Sequence, residues 1–181
     1  MERELVERAM HGDEEAFDAL VGRIGDSMHS VARRILRDTN LAQDATQQAL
    51  LDAWRYLPTL RDPDRFEAWS HRLLVNACYA EARRERRHRG NLRLLSRDDF
   101  DPDSTSRIAT QDQLDRGFRR LSVEHRTVVV LVHYLGLTPT EAADRMGTPA
   151  GTARSRLHYA LQQLRSALEA DARPTMARGT A

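Results

Sequence analysis

Hydrophobic residues recur at intervals of three and four along most of the chain, which is the spacing of one face of an α-helix. The 181 residues include only 6 prolines and 9 glycines. Val128–Val132 looks like a strand in isolation, but Leu121 and Leu135 extend it into a longer pattern that fits a buried helix equally well. The chain is therefore predicted to be all-α.

Four helices are predicted in the first half of the chain. The first opens with acidic residues, which suit a helix N-terminus, and the fourth opens at a proline, which suits the first helical turn. The predicted spans are 13–23, 26–37, 41 to just before Pro58, and 63 to about 87. The apolar face expected on the second is Met28, Val31, Ala32, Ile35 and Leu36, and on the fourth Phe66, Trp69, Leu73, Ala77 and Ala80.

The composition changes in the middle of the chain. Residues 90–110 are polar and rich in aspartate, which predicts a flexible linker. Helical periodicity returns over 111–170, and the residues from Arg173 onward are expected to form a frayed tail. The predicted architecture is two small helical domains, 10–89 and 111–170, joined by that linker.

A helix-turn-helix is predicted between residues 137 and 168. Thr138 followed by Glu141 is a helix-capping pattern, and Gly147 provides a residue that tolerates positive φ at the turn. A second helix is predicted to begin at about Gly151. Its expected buried stripe is Ala153, Leu157, Leu161, Leu164 and Leu168.

The outward side of that second helix carries hydroxyl, arginine and aromatic residues near its start. Such side chains suit contacts to phosphates and to guanine, and a recognition helix presents its first residues to the major groove. A helical hairpin with a solvated charged face is the alternative interpretation. The candidate DNA-contacting residues are Thr152, Arg154, Ser155, Arg156, His158 and Tyr159.

Charge and cysteine content exclude several other classes of protein. The net charge is only +1, so a basic surface must come from local clustering, and all 28 basic residues are arginine. A single cysteine, Cys78, allows neither an internal disulfide nor a cysteine zinc site. We find no signal peptide, no run of membrane length and no catalytic motif. The sequence predicts a cytoplasmic protein that is not an enzyme, needs no cofactor or metal, and does not insert into a membrane.

Four segments together resemble the extracytoplasmic-function (ECF) group of bacterial sigma factors. GTARSRLH at 151–158 resembles the recognition helix of sigma region 4, and GDEEAFDAL at 12–20 resembles the start of region 2. LAQDATQQALLDAW at 41–54 is similar to the helix that grips the core polymerase clamp, and FEAWSHRLLVN at 66–76 to the promoter-opening helix. The family usually has Glu at position 48, an aromatic residue at 50 and a basic residue at 159.

The resemblance implies that the first domain binds core RNA polymerase and the minus-10 promoter element. The polymerase-facing residues would be Asp44, Gln47, Gln48, Asp52 and Trp54, although Trp54 could equally belong to the core. The loop before Phe66 would hold a flipped base, and Phe66 and Trp69 are either DNA contacts or core residues. The minus-10 candidates are Arg61, Asp62, Arg65, Arg72, Asn76, Arg83 and Arg84.

The resemblance also implies that the second domain reads the minus-35 element, and that an anti-sigma factor controls the protein. Tethering two weakly binding domains would increase the overall affinity for a promoter. Two alternatives from other classes stay open at this stage. One is a helix-turn-helix regulator that binds operators as a dimer without polymerase, and the other is an adaptor that binds polymerase without choosing promoters.

Overall fold

The computed structural model describes residues 2–95 and 109–172, and this part of the chain consists of helices and their connecting turns. The all-α prediction is confirmed. Residues 96–108 of the predicted linker and the predicted tail from Arg173 lie outside the described residues. The α-helices are α1 (Glu2–Met10), α2 (Glu14–Leu36), α3 (Thr39–Tyr56), α4 (Phe66–Leu95), α5 (Ala109–Arg120), α6 (Val123–Val129), α7 (Pro139–Met146) and α8 (Ala150–Ala172).

Short polar side chains begin several of these helices. Asp13, Asp38 and Ser122 each accept a hydrogen bond from the backbone N–H three residues later, at 3.0, 2.9 and 3.2 Å. These bonds satisfy N–H groups that have no partner within the helix, and the two carboxylates also suit the positive end of the helix dipole. The acidic start predicted for the first helix is therefore a side-chain cap.

The two helices predicted over 13–23 and 26–37 are a single helix, α2. Gly25 lies in its interior with a helical backbone, so it costs some stability but does not break the helix. Leu20 and Met28 are both buried on either side of it, and this shared buried face keeps the helix continuous. All five residues predicted for the apolar face of 26–37 are buried.

The first half of the chain packs around two neighbouring hydrophobic clusters. Apolar faces of α2, α3 and α4 meet in one cluster, where Ile35, Ala45 and Leu74 are fully buried. The second lies where α1 packs on α2 and on the connection between α3 and α4, and it includes Val6 and Phe66. The short 3-10 turns Leu57–Thr59 and Pro63–Arg65 connect α3 to α4 beside this second cluster.

The apolar face of α4 differs in part from the sequence prediction. Phe66 and Ala77 are buried and Leu73 is partly buried, but Ala80 is exposed. Leu74 and Val75 are instead completely buried, and they belong to different hydrophobic clusters. Helix α4 therefore buries two adjacent faces, because helices of the second half pack on it beside α2 and α3.

The second half contains the predicted helix-turn-helix. At the start of α7, the Thr138 hydroxyl oxygen accepts a hydrogen bond from the Glu141 backbone N–H at 3.2 Å, and the Thr138 backbone N–H donates to the Glu141 carboxylate at 2.8 Å. Gly147 ends α7 in the left-handed conformation with φ +61°. The capping box and the turn glycine are therefore confirmed, and α8 begins at Ala150, one residue before its predicted start.

The buried stripe of α8 is rotated from the predicted one. Leu161 was expected in the core but is 39% exposed, whereas Ala160 is fully buried. Helix α5 passes so close to α8 that a β-carbon on Gly117 would lie 3.1 Å from Leu164. The small residue at this crossing is Gly117 itself, which leaves room for the Leu164 and Ala167 side chains of α8. The stripe consists of Ala153, Leu157, Ala160, Leu164 and Ala167.

The two halves pack directly against each other. Helix α4 contacts α6 and α7, and α2 contacts α6 and the π-helical turn Val130–Tyr134. Val123 and Val130 from the second half are buried in the cluster formed by α2, α3 and α4. This contact determines which faces of the candidate functional helices are accessible.

Candidate nucleic-acid and protein interfaces

Helix α3 presents most of the predicted polymerase-facing residues to solvent. Asp44, Gln47 and Gln48 are exposed, and the Gln48 side-chain amide donates a 3.0 Å hydrogen bond to the Asp52 carboxylate. The two residues lie one helical turn apart, so the bond links neighbours along the same face. The structure thus brings this polar set together on one surface of α3.

A groove of about 660 Å³ runs between α2 and α3 beside this polar set. Trp54 and Leu51 line it and are 38% and 54% exposed, so each offers apolar surface to a partner. The Trp54 ring also packs on the Phe17 ring of α2, with 4.8 Å between the ring centroids. Trp54 is therefore both a packing residue and an accessible one, as an amphipathic indole ring allows.

The loop before α4 holds three of the predicted minus-10 residues. Arg61, Asp62 and Arg65 are all exposed. The Asp62 carboxylate accepts a 3.1 Å hydrogen bond from the Asp64 backbone N–H and so begins the turn Pro63–Arg65. The exposed Arg65 guanidinium also lies 3.5 Å from the carboxylate of Asp144 in α7.

Phe66 and Trp69 lie at the start of α4 and behave mainly as core residues. Phe66 is buried, Trp69 is partly buried, and their ring centroids lie 6.2 Å apart. Both contribute to the cluster that also contains Val6 of α1. The core interpretation therefore applies to Phe66, and only Trp69 retains surface for another contact.

Along the next turns of α4, Arg72 and Asn76 are exposed, whereas His71 is buried. Helices of the second half cover His71, and its Nδ1 has no hydrogen-bond partner within the described residues. Burial lowers the pKa of His71 from 6.5, Arg145 of α7 lowers it further, and Glu67 acts in the opposite direction. Burial therefore favours the neutral form of this histidine.

Further along α4, the minus-10 candidates Arg83 and Arg84 are exposed. The Arg84 guanidinium lies 3.3 Å from the Asp44 carboxylate of α3 and 3.2 Å from the Glu81 carboxylate. A predicted polymerase contact and a predicted DNA contact are therefore neighbours across two helices.

Helix α8 separates the predicted minus-35 residues into two groups. Arg154, Ser155, His158 and Tyr159 are exposed on one side near the start of the helix. The His158 and Tyr159 rings lie edge to face, with 5.6 Å between their centroids. Thr152 is partly buried at the start of the helix, and its backbone carbonyl accepts a 3.0 Å hydrogen bond from the Ser155 hydroxyl.

Arg156 lies on a different side of α8 from Arg154. It is partly buried and close enough to Tyr79 of α4 and Glu124 of α6 to influence the pKa of both groups. Two residues along a helix are about 200° apart, so both arginines could not share one outward face. The sequence prediction placed both arginines on one DNA-facing surface because they have the same chemistry, whereas in the structure only Arg154 is exposed and Arg156 is partly buried.

Comparison with known proteins matches both halves of the chain to one family. The Sigma-70 region 2 model matches residues 20–88, and the Sigma-70, region 4 model matches residues 117–166. The ECF RNA polymerase sigma factor SigM of Mycobacterium tuberculosis is 34% identical over 163 residues, covering 89% of this chain and 81% of SigM. The RNA polymerase sigma-H factor of Pseudomonas aeruginosa is 28% identical over 181 residues, covering 93% and 94% of the two chains.

Solved structures agree with this assignment. CnrH, whose structure was solved in complex with the cytosolic domain of CnrY, superposes with a TM-score of 0.67 at 27% identity, covering 94% of this chain and 99% of CnrH. The chain belongs to the ECF family of RNA polymerase sigma factors. It is a transcription initiation factor, not an enzyme, and its partners are core RNA polymerase and promoter DNA. None of the helices in residues 2–95 and 109–172 could cross a membrane.

Proposed function

We propose that the exposed side of α8 is the surface with which this sigma factor selects minus-35 elements. The observation that carries this proposal is the position of Arg154, Ser155 and His158 at the start of a helix that follows a capped helix and a glycine turn. This is the arrangement in which a recognition helix enters the major groove with its first turns. Arg154 can reach a guanine edge or a phosphate from there.

The test compares two exposed arginines on the same helix. Arg154→Ala should reduce minus-35-dependent binding of the holoenzyme by about 1–3 kcal/mol. Arg165→Ala, about three turns further along α8, should have little effect. Binding is measured by gel shift with core polymerase, on promoters with and without an intact minus-35 element. Equal losses for both variants would contradict the proposal, as would tight promoter binding by the protein without core polymerase.

Core polymerase is assigned to the face of α3 that adjoins the groove. Exposed Leu51 and Trp54 supply apolar area, while Gln47, Gln48 and Asp52 supply polar groups around it. An apolar centre with a polar rim is the usual composition of a protein interface. Gln48 takes the place of the family's usual Glu, so this surface carries less negative charge than the resemblance alone would imply.

Minus-10 recognition and opening are assigned to the loop before α4 and to the adjacent face of α4. Arg61, Arg65, Arg72 and Asn76 all reach the surface there, and arginines beside a partly exposed Trp69 are suited to single-stranded DNA. Capture of an extruded base offsets the cost of unstacking it. Exposed Arg83 and Arg84 would then contact phosphates further along the same helix.

An anti-sigma factor is the proposed regulator, and the cytoplasm is the proposed location. The support is the likeness to CnrH, which was solved with the cytosolic domain of CnrY. An anti-sigma factor for this chain should prevent core polymerase from binding when it is added first. If a bound anti-sigma factor left core binding unchanged, regulation would have to act at a later step.

A further inference from the structure

Helix α1 lies before the residues that match the region 2 model, and none of the candidate site residues lies on it. Its inner face joins a hydrophobic cluster in which Val6 is fully buried. Leu60 and Phe66, which flank residues 61–65, are buried in the same cluster. Helix α1 is therefore packed against both ends of this segment, which is called the minus-10 loop below.

The minus-10 loop itself has little packing to hold its position. Its residues are exposed or partly exposed, and its turn, Pro63–Arg65, is closed by local hydrogen bonds. The Asp62 carboxylate accepts from the Asp64 backbone N–H at 3.1 Å, and the Asp62 carbonyl accepts from the Arg65 backbone N–H at 3.0 Å. These bonds shape the turn internally, but they do not fix it relative to the helices around it.

Arg3 of α1 supplies a contact that does fix the turn. Its guanidinium donates a hydrogen bond to the Asp64 carboxylate at 2.5 Å and its Nε donates another to the Glu7 carboxylate at 2.9 Å. Glu7 lies one helical turn further along α1, so it orients the guanidinium. The hydrogen bond to Glu7 raises the pKa of Arg3, and the charges of Asp64 and Asp62 raise it further. Arg3 thus links α1 to the acidic turn of the loop.

This link has two consequences for a loop that binds DNA. An unpaired Asp64 carboxylate would repel the phosphates of a DNA strand, and pairing with Arg3 offsets that charge and holds the carboxylate toward α1. A pocket for an extruded base also binds more tightly if its shape exists beforehand, because ordering a loose loop costs binding free energy. A loop that α1 already holds avoids that cost.

We propose that Arg3 is a positioning residue for minus-10 recognition, which acts through Asp64 to hold the loop in the shape that accepts an extruded base. This inference rests on the proposed minus-10 function of the loop. An exposed ion pair stabilises a fold only slightly, so its loss should leave the domain folded while loosening the loop. The property that should change is discrimination between bases, and not the general affinity for DNA.

The test uses holoenzyme assembled from core polymerase and the full-length chain. The probe is a forked oligonucleotide with the minus-10 sequence of a promoter identified by run-off transcription, and its single-stranded positions are changed one base at a time. Discrimination is the ratio of the dissociation constants for the least and the most favoured base. Arg3→Ala and Asp64→Asn each remove one partner of the pair. Arg8→Ala is the matched control, because it removes the same charge from the same helix but its ion-pair partner is Asp13 of the α2 cap.

We expect Arg3→Ala and Asp64→Asn to reduce discrimination by about twofold to fivefold, and Arg8→Ala to leave it unchanged. If Arg3 acted only through its charge, Arg3→Ala would weaken binding of every base equally and Asp64→Asn would strengthen it. Exchanging the partners, Arg3→Asp with Asp64→Arg, keeps a pair and should restore most of the discrimination. Unchanged discrimination in both single variants, an equal loss in Arg8→Ala, or no recovery in the exchanged protein would overturn the positioning role.

Two further variants separate failure of the positioning role from failure of the proposed minus-10 function. Arg61→Ala and Arg72→Ala should weaken binding of the fork, because both exposed arginines are assigned to DNA. If neither weakens it, the loop is not the minus-10 site, and the proposed function and the role of Arg3 are both wrong. If either weakens it while discrimination does not depend on Arg3, only the positioning role is wrong.

Discussion

At the scale of single residues, burial changes from one position to the next along α4. His71 and Arg72 are adjacent in sequence, and one is buried while the other is exposed. Nothing local to the chain indicates this difference, because it depends on α7 packing over α4. Likewise, the sequence gives the same prediction of a DNA contact for Arg154 and Arg156, but the two residues lie on different sides of α8.

The buried histidine makes the contact between α4 and α7 sensitive to acid. His71 faces Glu67 on its own helix and Arg145 on α7, and its pKa lies below 6.5 mainly because it is buried. A group that binds its proton less readily when α7 is packed on α4 than when the two are apart stabilises the packed state at high pH. The contribution is complete above 6.5 and is lost as the pH falls below it toward the lowered pKa.

We therefore expect the radius of gyration to be constant near pH 8 and to rise as the pH falls below about 6.5. His71→Gln, which cannot take up a proton in this range, should reduce the rise. Scattering across this pH range on the two proteins is the measurement. A rise of the same size at the same pH in His71→Gln would show that another group is responsible.

At the scale of elements, the sequence was most informative where a local rule applied. Thr138, Glu141 and Gly147 predicted the limits of α7 because capping and positive φ depend only on neighbouring residues. The predicted break in α2 was wrong because the buried face that spans Gly25 outweighs its low helix propensity. The predicted stripe on α8 was wrong at Leu161, because α5 and α6 pack on the side of the helix that carries Ala160 and Leu164.

The capping box at the start of α7 should have a measurable effect on stability. Thr138→Ala removes the hydroxyl that accepts from the Glu141 backbone N–H, so we expect it to lower the free energy of unfolding by about 0.5–2 kcal/mol. Thr140→Ala, an exposed position in the first turn of the same helix, is the matched control. Denaturant unfolding of the two variants measures the difference. A loss in Thr140→Ala as large as that in Thr138→Ala would contradict the assigned cap.

The groove beside α3 should be required for tight binding of core polymerase. Leu51→Glu places a charge on the exposed apolar side of the groove, and we expect it to weaken core binding by about tenfold or more, as for truncation of a central interface residue. Leu161→Glu is the matched control, because that leucine is also exposed but lies on α8. Titration of labelled protein with core polymerase measures both affinities. Equal weakening by the two changes would place the polymerase contact elsewhere.

At the scale of the whole molecule, the order of the two sigma regions could be recognised from sequence, but their packing could not. Val75 and Val123 are ordinary apolar residues in helical patterns, and either could have belonged to the core of its own half. Only the structure shows that each is buried by the other half. The same residues that complete the fold thus determine which face of α4 is accessible in the isolated chain.

The central claim is that this chain gives core RNA polymerase promoter specificity through α4 and α8. Its most direct test is run-off transcription with purified core polymerase on genomic fragments. The unsubstituted protein is compared with Arg72→Ala and Arg154→Ala. We predict discrete start sites that require the protein, and a strong loss of transcription from those sites with both variants. The dependence of transcription on an intact minus-35 element should be lost only in Arg154→Ala. Transcription that starts at the same sites without the protein, or that is unaffected by either substitution, would contradict the account.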